Sequence, residues 1–454
     1  MPIINKTEKR SSPARTLVVG FLLIIAAGTL LLWLPFSSAE GETTPLFDCL
    51  CTATSATCVI GFTAVDTLSH WSLLGQIVIA LLIQIGGLGF VTIITFFNIA
   101  AGKKLGYRTI ADAADGLTES NFEGGRSIFI SIVKYSLIFE LCGAIILAIT
   151  FIPEYGAYGI WVSIFISISA FCNAGFDLMG ADGAGSLIGF NDQPLVIMTV
   201  ALLAIVGGLG FVVWENFINI RKVKKLSLHS RVVLMMTGIL LIFGTLFFLL
   251  SEWKNPATLG NMDFGQKLMN AFFCSATARS VGFNSVPVSE MTDFSLFGTI
   301  LLMFIGPAPA STGGGIKVTT VMVMVMTVVS YIQGKNDVEL FHHKIDKLIV
   351  YRTLVVTVLS MTAVSLCFAG VFCTLPNTAD APDALSCLFD TVAVFSTAGL
   401  TTGAAASVST VGRCLLLITM FAGRVGPVSL IMSLTMNSAK RKNIVVPDGQ
   451  IFIG

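Results

Sequence analysis

Long apolar runs alternate with short polar segments along the whole chain. Four of these runs have about 20 residues or more, the length that an α-helix needs to cross a hydrocarbon core of about 30 Å. They cover residues 16–36, 128–153, 232–250 and 349–375. Four further apolar runs begin near Leu73, Pro194, Phe294 and Thr410. The pattern therefore predicts an all-α polytopic membrane protein.

Four short segments, each with a single glycine, lie between the paired apolar runs. They read SATCVIGFT around Gly61, AFCNAGFD around Gly175, TARSVGFN around Gly282 and VFSTAGLT around Gly399. Small or hydroxyl-bearing residues precede each glycine, and Phe or Leu follows it. Recurrence at a nearly constant spacing indicates an internal repeat. The chain is therefore predicted to hold four tandem copies of one unit.

Each unit is predicted to consist of a span, a short pore helix, a glycine loop and a second span. The segment before the loop, LFDCLCTATSAT in the first unit and GIWVSIFISISAF in the second, has the length of a re-entrant helix rather than of a span. The first unit covers residues 1–101 and includes a basic cytoplasmic N-terminus. The others cover 102–221, 222–334 and 335–436, each opening with a cytoplasmic loop, and 437–454 form a C-terminal tail.

Composition and charge support a membrane location. Of the 454 residues 54% are hydrophobic and 12% are charged, too few polar side chains to cover a water-soluble globule. The net charge of +1 excludes a strongly basic nucleic-acid-binding protein, so membrane lipids are expected as partners and nucleic acid is not. Most Lys and Arg residues lie in the N-terminal segment, in the loops that open units two to four and in the C-terminal tail. By the positive-inside rule, the chain is a multi-pass protein of the cell membrane with both termini in the cytoplasm.

The four glycine loops are predicted to surround one central, water-filled pore per protomer in a pseudo-fourfold arrangement. Non-helical backbone at membrane depth survives only where it is buried in protein or lines water. Short helices that enter from outside would point their partially negative C-termini at this axis, which favours cations. Backbone carbonyl oxygens of such loops can replace the hydration shell of K⁺.

The candidate selectivity filter consists of each loop glycine and the four residues before it, whose carbonyl oxygens would bind K⁺. In chain order these are Thr57, Cys58, Val59, Ile60 and Gly61; Phe171, Cys172, Asn173, Ala174 and Gly175; Ala278, Arg279, Ser280, Val281 and Gly282; and Phe395, Ser396, Thr397, Ala398 and Gly399. Acidic residues are frequent in the predicted outer segments, which favours cation entry. Among them, Asp177 is the candidate for a role at the pore mouth.

The third unit has a break in its second span. The stretch GPAPASTGGGIK, residues 306–317, holds two prolines and four glycines between two strongly apolar runs. Proline removes a backbone donor and glycine adds conformational freedom, so a continuous helix is disfavoured. The second spans of units one and two carry the related stretches QIGGLGFVT and IVGGLGFVV. These glycines are interpreted as positions of close helix packing.

With ASTGGGIK in the third unit and AGRVGP in the fourth, the chain resembles the Trk/Ktr/HKT superfamily of cation translocators, and within it the membrane subunits of bacterial Ktr potassium uptake systems. The resemblance implies that the broken stretch is an intramembrane loop that gates the pore below the filter, with an arginine nearby. The candidate gate consists of Gly306, Pro307, Ala308, Pro309, Ala310, Ser311, Thr312, Gly313, Gly314 and Gly315, together with Lys317 and Arg424. Pro307 and Pro309 stand where many relatives have smaller or hydroxyl residues.

The resemblance also implies partners. A homodimer with one pore in each protomer would sit on a cytoplasmic ring of KtrA-type nucleotide-binding regulatory subunits. ATP or ADP is then expected on that ring, and no cofactor is expected in this chain. The longest cytoplasmic loop, residues 102–126, is too short for a regulatory domain of its own. The implied function is uptake of K⁺ through a gated, channel-like pore, with Na⁺ left open as a second transported ion.

A cation-coupled secondary transporter, a symporter, is the main alternative. Such transporters also use broken helices near the membrane midplane. They often have two inverted repeats and a buried carboxylate, whereas this chain has four repeats in one orientation, and Glu140 and Glu215 are expected toward the cytoplasmic ends of their spans. The sequence GGGIK lacks the adjacent Gly and Lys of a phosphate-binding loop. No enzymatic activity is expected.

Overall fold

The structure is a computed structural model that describes residues 13–89, 125–180, 185–218, 220, 225–375 and 381–435. The basic N-terminus up to residue 12, nearly all of the predicted cytoplasmic loop 102–126 and the predicted tail 437–454 lie outside the described residues. The described part of the chain is built from α-helices, a few short 3₁₀ turns and one small hairpin. The 3₁₀ turns cover Pro35–Ser37, Ile188–Phe190, Val288–Glu290 and Ala404–Ser407.

The helices follow the predicted order of parts in each unit. The first unit contains α1 (Pro13–Trp33), α2 (Leu46–Cys58), α3 (Thr67–His70) and α4 (Leu73–Gly87). The second contains α5 (Gly125–Tyr155), α6 (Tyr158–Cys172), α7 (Pro194–Gly208) and α8 (Phe211–Ile218). The third contains α9 (Leu228–Ser251), α10 (Phe264–Thr277), α11 (Asp293–Phe304) and α12 (Val318–Ile332). The fourth contains β1 (Glu339–Leu340), β2 (His343–Lys344), α13 (Lys347–Cys373), α14 (Ala384–Phe395), α15 (Thr410–Val425) and α16 (Pro427–Thr435).

The first helix of each unit is long enough to cross a membrane. Helices α1, α5, α9 and α13 have 21, 31, 24 and 27 residues. Only 28–39% of the most apolar part of each of these helices is buried inside the protein. Their outer faces expose large apolar side chains such as Leu22, Ile145, Phe243 and Met361, as expected of helices that contact lipid. The prediction of a helical, multi-span membrane protein is confirmed.

The second helix of each unit is short and lies inside. Helices α2, α6, α10 and α14 have 13, 15, 14 and 12 residues, too few to span a bilayer. Each packs against the long first helix of its own unit. Polar caps fix where two of them begin: Asp263 and Gln266 form a capping box on α10, and Asp383 accepts the backbone N–H of Ser386 on α14.

Contacts between the units run around a ring. The last apolar helix before each break (α4, α7, α11 and α15) packs against the pore helix of the following unit: α4 on α6, α7 on α10, and α11 on α14. Helix α15 of the fourth unit packs on α2 of the first. Each predicted pore helix therefore packs against a helix of the preceding unit, which is consistent with the predicted pseudo-fourfold arrangement.

The break in the second span is not confined to the third unit. Helices α4, α7, α11 and α15 have 15, 15, 12 and 16 residues and stop short of a full crossing. In units two and four the chain then bends by 92° into α8 and by 96° into α16. The bends lie at glycines with a left-handed backbone, Gly210 (φ 85°) and Gly426 (φ 87°), and Gly89 and Gly315 share this conformation. Interpreting the glycines of units one and two as packing positions alone was therefore incomplete.

A hairpin departs from the all-helical expectation. Strands β1 and β2 pair antiparallel, with Glu339 opposite Lys344 and Leu340 opposite His343. Phe341 (φ 47°) and His342 (φ 64°) form the turn, and both have the left-handed backbone that a type I′ turn requires. Strands of two residues are too short to carry an alternating pattern, so hydrophobic periodicity could not predict them.

Candidate functional site

The structure brings the four predicted glycine loops together. A methyl group added to Gly175 would lie 2.7 Å from the Cα of Gly282, and one added to Gly282 would lie 2.8 Å from the Cα of Gly175. A methyl group on Gly61 would lie 3.0 Å from the Cα of Gly175, and one on Gly399 would lie 3.2 Å from the Cα of Gly282 and overlap the Ile60 carbonyl. Four segments more than 100 residues apart along the chain therefore meet at one place.

All four loops share one backbone conformation. The glycines Gly61, Gly175, Gly282 and Gly399 have φ angles of 87°, 67°, 88° and 70°. The residue two positions earlier is left-handed as well: Val59 (59°), Asn173 (60°), Ser280 (75°) and Thr397 (54°). A left-handed backbone at non-glycine residues costs about 1–3 kcal/mol each and persists only where the surroundings impose it. In each loop, left-handed residues at every second position rotate successive peptide groups relative to one another. Such rotation allows carbonyl oxygens to line a narrow path.

The pore helices end directly at these loops. Helix α2 ends at Cys58, α6 at Cys172, α10 at Thr277 and α14 at Phe395, so each last turn leads into a predicted filter segment. The backbone N–H groups of Ile60, Ala174 and Ala398 close three of these helices by donating to carbonyls five residues earlier, at 3.0, 2.7 and 2.8 Å. The negative ends of four helix dipoles therefore lie beside the loops, which stabilises a cation there.

The broken stretch of the third unit folds back on itself. Ile305 and Ile316 form an isolated parallel bridge, and the backbone N–H of Gly306 donates to the carbonyl of Ile316 at 2.8 Å. Between these points the chain contacts the end of α7 and the start of α8. The N–H of Ala308 donates to the Gly208 carbonyl at 3.0 Å. Residues 306–315 thus form a compact loop that enters and leaves at one place.

The three consecutive glycines of this loop pack against the third and fourth filter segments. A methyl group on Gly313 would lie 2.9 Å from the hydroxyl oxygen of Ser280. One on Gly314 would lie 2.6 Å from the Cγ2 methyl of Thr397, and one on Gly315 would lie 3.2 Å from the Cα of Ser396. The run of glycines is therefore explained by close approach: side chains here would push the loop away from the filter.

Two cationic side chains hold the loop. The Lys317 ammonium donates to the carbonyl of Gly313 at 2.6 Å and contacts that of Gly314 at 3.4 Å. The Arg424 guanidinium donates to the carbonyls of Thr312 and Gly86. Among the described residues, neither cation forms a salt bridge: the two salt bridges found there are Lys335–Glu339 and Lys344–Asp337 beside the hairpin. Three successive loop carbonyls thus face positive charge.

Comparison with known proteins identifies the family. Residues 5–444 match the family described as TrkH, cation transport protein. The chain belongs to this family. It is 38% identical over 459 residues to the potassium/sodium uptake protein NtpJ of Enterococcus hirae, with 100% of both chains covered. It is 37% identical to the Ktr system potassium uptake protein B of Bacillus subtilis, over 98% of this chain and 97% of that protein.

A solved TrkH structure has the same fold. The crystal structure of the potassium transporter TrkH from Vibrio parahaemolyticus matches this chain with a TM-score of 0.70 at 16% identity, covering 95% of this chain and 86% of that one. The family assignment confirms the expected resemblance to Ktr membrane subunits. It also confirms that the chain is an ion transporter and not an enzyme.

In this TrkH-family chain, the sequence interpretation missed three glycines that border the predicted filter segments. Gly86, Gly207 and Gly423 lie near the ends of α4, α7 and α15. A methyl group on any of them would overlap a carbonyl oxygen of Thr57, Phe171 or Phe395, the first residue of a predicted filter segment. The repeated GGLGF motif was the available signal for Gly86 and Gly207. It indicated close packing and did not indicate that filter backbone was the partner.

One predicted filter residue, Arg279, directs its side chain away from the other loops. Its guanidinium lies 3.4 Å from the hydroxyl of Thr237 on α9, and its Nε has no hydrogen-bond partner among the described residues. The corresponding residues of the other loops, Cys58, Cys172 and Ser396, are smaller. Only the third loop therefore carries a buried positive charge at this position.

The expected position of Glu140 was wrong. Its carboxylate accepts a hydrogen bond from Gln84 at 2.9 Å and lies 3.9 Å from the thiol of Cys172 in the second filter segment. Glu140 is 5% exposed and lies in the middle of α5, not at a cytoplasmic end. Hydropathy locates a span but does not fix the depth of one residue in a helix of 31 residues.

Asp390 and Asp177 brace the chain that follows two of the predicted filter segments. The carboxylate of Asp390 accepts hydrogen bonds from the hydroxyl of Thr401 and from the N–H groups of Thr402 and Ala405, each at 2.8 Å. Asp177, the candidate mouth residue, accepts the N–H of Met179 at 3.0 Å and is partly exposed. These contacts fix the chain immediately after the second and fourth filter glycines.

Glu252 plays the same bracing role after α9. Its carboxylate accepts the hydroxyls of Thr258 at 2.6 Å and Thr292 at 2.8 Å, and the N–H of Thr292 at 3.0 Å. Burial by itself would raise the pKa of Glu252, but the hydrogen bonds from Ser295, Thr258 and Thr292 outweigh burial and hold the pKa below its ordinary value of 4.5. Glu252 therefore links the end of α9 to the start of α11 as a carboxylate.

Proposed function

We propose that this chain takes up K⁺ across the cell membrane through a channel-like pore, with Na⁺ as a second transported ion. The observation that carries the proposal is the meeting of four loops that each have the same two left-handed residues, Val59 and Gly61 in the first loop and their counterparts in the others. Such backbone presents carbonyl oxygens to a dehydrated monovalent cation. The printed functions of relatives that are 37–38% identical, potassium and potassium/sodium uptake, support the choice of ions.

The filter is proposed to be the twenty residues named from the sequence, and the gate to be the loop of residues 306–315 with Lys317 and Arg424. The contact of Gly313–Gly315 with the filter segments supports a gate, because an ion leaving the filter meets the loop next. The two cationic side chains add an electrostatic barrier in a region of low dielectric constant. Movement of the loop, together with these cations, would open the path.

The proposed assembly is a homodimer with one pore per protomer, placed on a KtrA-type nucleotide-binding ring. The likeness to the Ktr system potassium uptake protein B, whose name describes one component of a system, supports such a ring. Both chain ends are proposed to lie in the cytoplasm, on the evidence of the basic segments between units. Nucleotide would then bind to the ring and act on this chain through contacts at the cytoplasmic face.

The decisive experiment is ion uptake by the purified chain in sealed liposomes. We expect saturable uptake of radioactive rubidium, and a measurable uptake of sodium, driven by the ion gradient alone, without ATP and without a proton gradient. A strict requirement for a proton gradient would instead favour the symporter. The observation that favours a symporter is the buried carboxylate of Glu140. Glu140→Gln should leave gradient-driven rubidium uptake in place if the chain is a pore, and abolish coupled uptake if it is a symporter.

A further inference from the structure

Thr397 joins the filter to the intramembrane loop. Its hydroxyl accepts the backbone N–H of Gly314 at 2.7 Å and lies 2.8 Å from the hydroxyl of Ser280. The Ser280 hydroxyl also lies 2.7 Å from the carbonyl oxygen of Ser396 and 3.0 Å from that of Thr397. Both side chains are fully buried. One buried cluster therefore connects the third and fourth filter segments with the loop.

The direction of these hydrogen bonds follows from the number of donors. A backbone N–H only donates, a carbonyl only accepts, and each hydroxyl has one proton to give. Ser280 shares its one proton between the carbonyls of Ser396 and Thr397, so the proton between the two hydroxyls is the one that Thr397 donates to Ser280. The cluster is a one-way chain that begins at the intramembrane loop and ends at filter carbonyl oxygens.

This chain involves only one half of the filter. At the matching positions the first loop has Val59, which has no hydroxyl, and the second has Asn173, whose Oδ1 has no partner among the described residues. The backbone repeats four times, with positive φ at all four positions. The hydrogen-bonding chemistry does not repeat. It occurs at Ser280 and Thr397, in the two segments against which Gly313–Gly315 pack.

We propose that Thr397 is a positioning residue that couples the position of the intramembrane loop to ion selection in the filter, an inference that rests on the proposed pore function. Hydrogen bonds in a chain polarise one another, so the donor at Gly314 strengthens the bond that Ser280 makes to the carbonyls. A carbonyl oxygen engaged in this way is a weaker ligand for a cation. When the loop moves away with Gly314, these carbonyls become better ligands, and the ion preference of the filter changes with the state of the loop.

Substitution of Thr397 tests the coupling directly. Valine removes the hydroxyl and keeps the β-branched shape, so the left-handed backbone meets the same side-chain bulk. We expect Thr397→Val in liposomes to raise rubidium uptake about fivefold, the effect of losing one buried hydrogen bond that holds the loop, and to change the ratio of rubidium to sodium uptake. Thr397→Ser keeps the hydroxyl, so its ratio of rubidium to sodium uptake should be closer to that of the wild type than the ratio of Thr397→Val.

A matched control and a second variant separate coupling from damage to the fold. Thr353→Val removes a hydroxyl that donates to the carbonyl of Ile349 in its own helix at 2.9 Å, and it should leave the rate and ratio unchanged. If Thr397→Val does not fold, Ser280→Ala interrupts the same chain one step further on. It should produce the same change in the ion ratio.

The outcomes are distinct. A folded Thr397→Val protein with the wild-type rate and ion ratio would overturn the coupling. In a chain that lacks residues 307–314 the donor Gly314 is gone and only the bond from Thr397 to Ser280 remains to be lost, so Thr397→Val should have a smaller effect there than in the full chain. An undiminished effect in the deletion background would also overturn the coupling. If the wild-type chain takes up neither ion, the pore proposal fails. Faster hydrogen–deuterium exchange around Gly314 in Thr397→Val, but not in Thr397→Ser, would then still support the hydrogen-bond chain, and equal exchange would refute it.

Discussion

The Arg424 guanidinium donates a hydrogen bond to the backbone carbonyl of Thr312, although the two residues lie in different units of the chain. The same guanidinium donates to the carbonyl of Gly86 at the end of α4. One side chain thus connects the first, third and fourth units directly beneath the filter segments. A charge at membrane depth is costly and is usually kept for function.

Replacing Arg424 by Gln should raise the rate of rubidium uptake. The substitution removes the positive charge and weakens the hydrogen bonds that hold the loop. Because hydrogen bonds from a charged donor are worth about 1.5–3 kcal/mol, we expect the uptake rate to increase about tenfold. Arg413→Gln is the control, because Arg413 lies in the first turn of the same helix, far from the loop, and donates to the carbonyl of Ala406 at 3.2 Å. Equal initial rates in Arg424→Gln and the wild type would contradict this role.

Deleting residues 307–314 should also raise cation flux, because it removes the obstacle below the filter. The hydrogen bond of 2.8 Å from the backbone N–H of Gly306 to the carbonyl of Ile316 holds the two ends of the loop next to each other. The residues on either side of the deletion can therefore be joined without displacing α11 or α12. Uptake is compared at equal amounts of folded protein, judged by gel filtration in detergent. Unchanged or abolished flux in a folded deletion variant would argue against a gate.

Replacing Gly282 by Asp should damage ion discrimination or conduction. Gly282 has φ 88°, and a side chain there would start 2.8 Å from the Cα of Gly175. The matched control is Gly41→Asp, since Gly41 has φ 75° but has no atoms within 4 Å of an added methyl group. Competition between rubidium and sodium uptake measures the effect. Wild-type discrimination in Gly282→Asp would remove Gly282 from the filter.

Replacing Gly207 by Ala should alter conduction through the backbone of the second filter segment. The added methyl group would overlap the Phe171 carbonyl, and such overpacking typically costs about 1–3 kcal/mol. Gly238→Ala is the control, because no atoms lie within 4 Å of its added methyl group. We expect a lower thermal stability and a changed rubidium-to-sodium ratio only for Gly207→Ala. A change in thermal stability without a change in the rubidium-to-sodium ratio would show that Gly207 serves helix packing only.

Glu252 should make stability depend on pH at the acidic end. Its pKa is lower in the folded protein than its ordinary value of 4.5, so its contribution is present above pH 4.5 and is lost as the pH falls through the folded value. Glu252→Gln should therefore be less stable than the wild type at pH 7, by about 1–2 kcal/mol. The difference should shrink below pH 4.5. Thermal melting of both proteins across this range measures it, and a constant difference would contradict the assignment.

Much of the fold follows from local pattern. The starts of α4, α7 and α15 at Leu73, Pro194 and Thr410 agree with the sequence, because each apolar run opens at a capping residue or a proline. Ser72 and Ser409 accept backbone N–H groups at 3.2 and 3.3 Å. Such signals depend only on neighbouring residues in the chain, so they can be recognised without knowledge of tertiary contacts.

The remaining features depend on contacts that the sequence does not display. The left-handed backbone at Val59 and Thr397 opposes the preference of β-branched residues and arises only because the four loops meet. The bond between Ser280 and Thr397 joins residues 117 positions apart. The bends after α7 and α15 could not be predicted, because a glycine motif within an apolar run is compatible both with a closely packed helix and with a break in the helix.

The early ends of the four closing helices determine where the membrane potential acts. With 12–16 residues in each, these helices are too short to cross the bilayer, so the narrow path of the proposed pore would be limited to the predicted filter and the loop that abuts it. Most of the transmembrane electric field then falls across this short distance, where one elementary charge gains about 2.3 kcal/mol per 100 mV. In the proposed pore, a cell with a negative interior would thus apply its voltage to the step at which the ion sheds water.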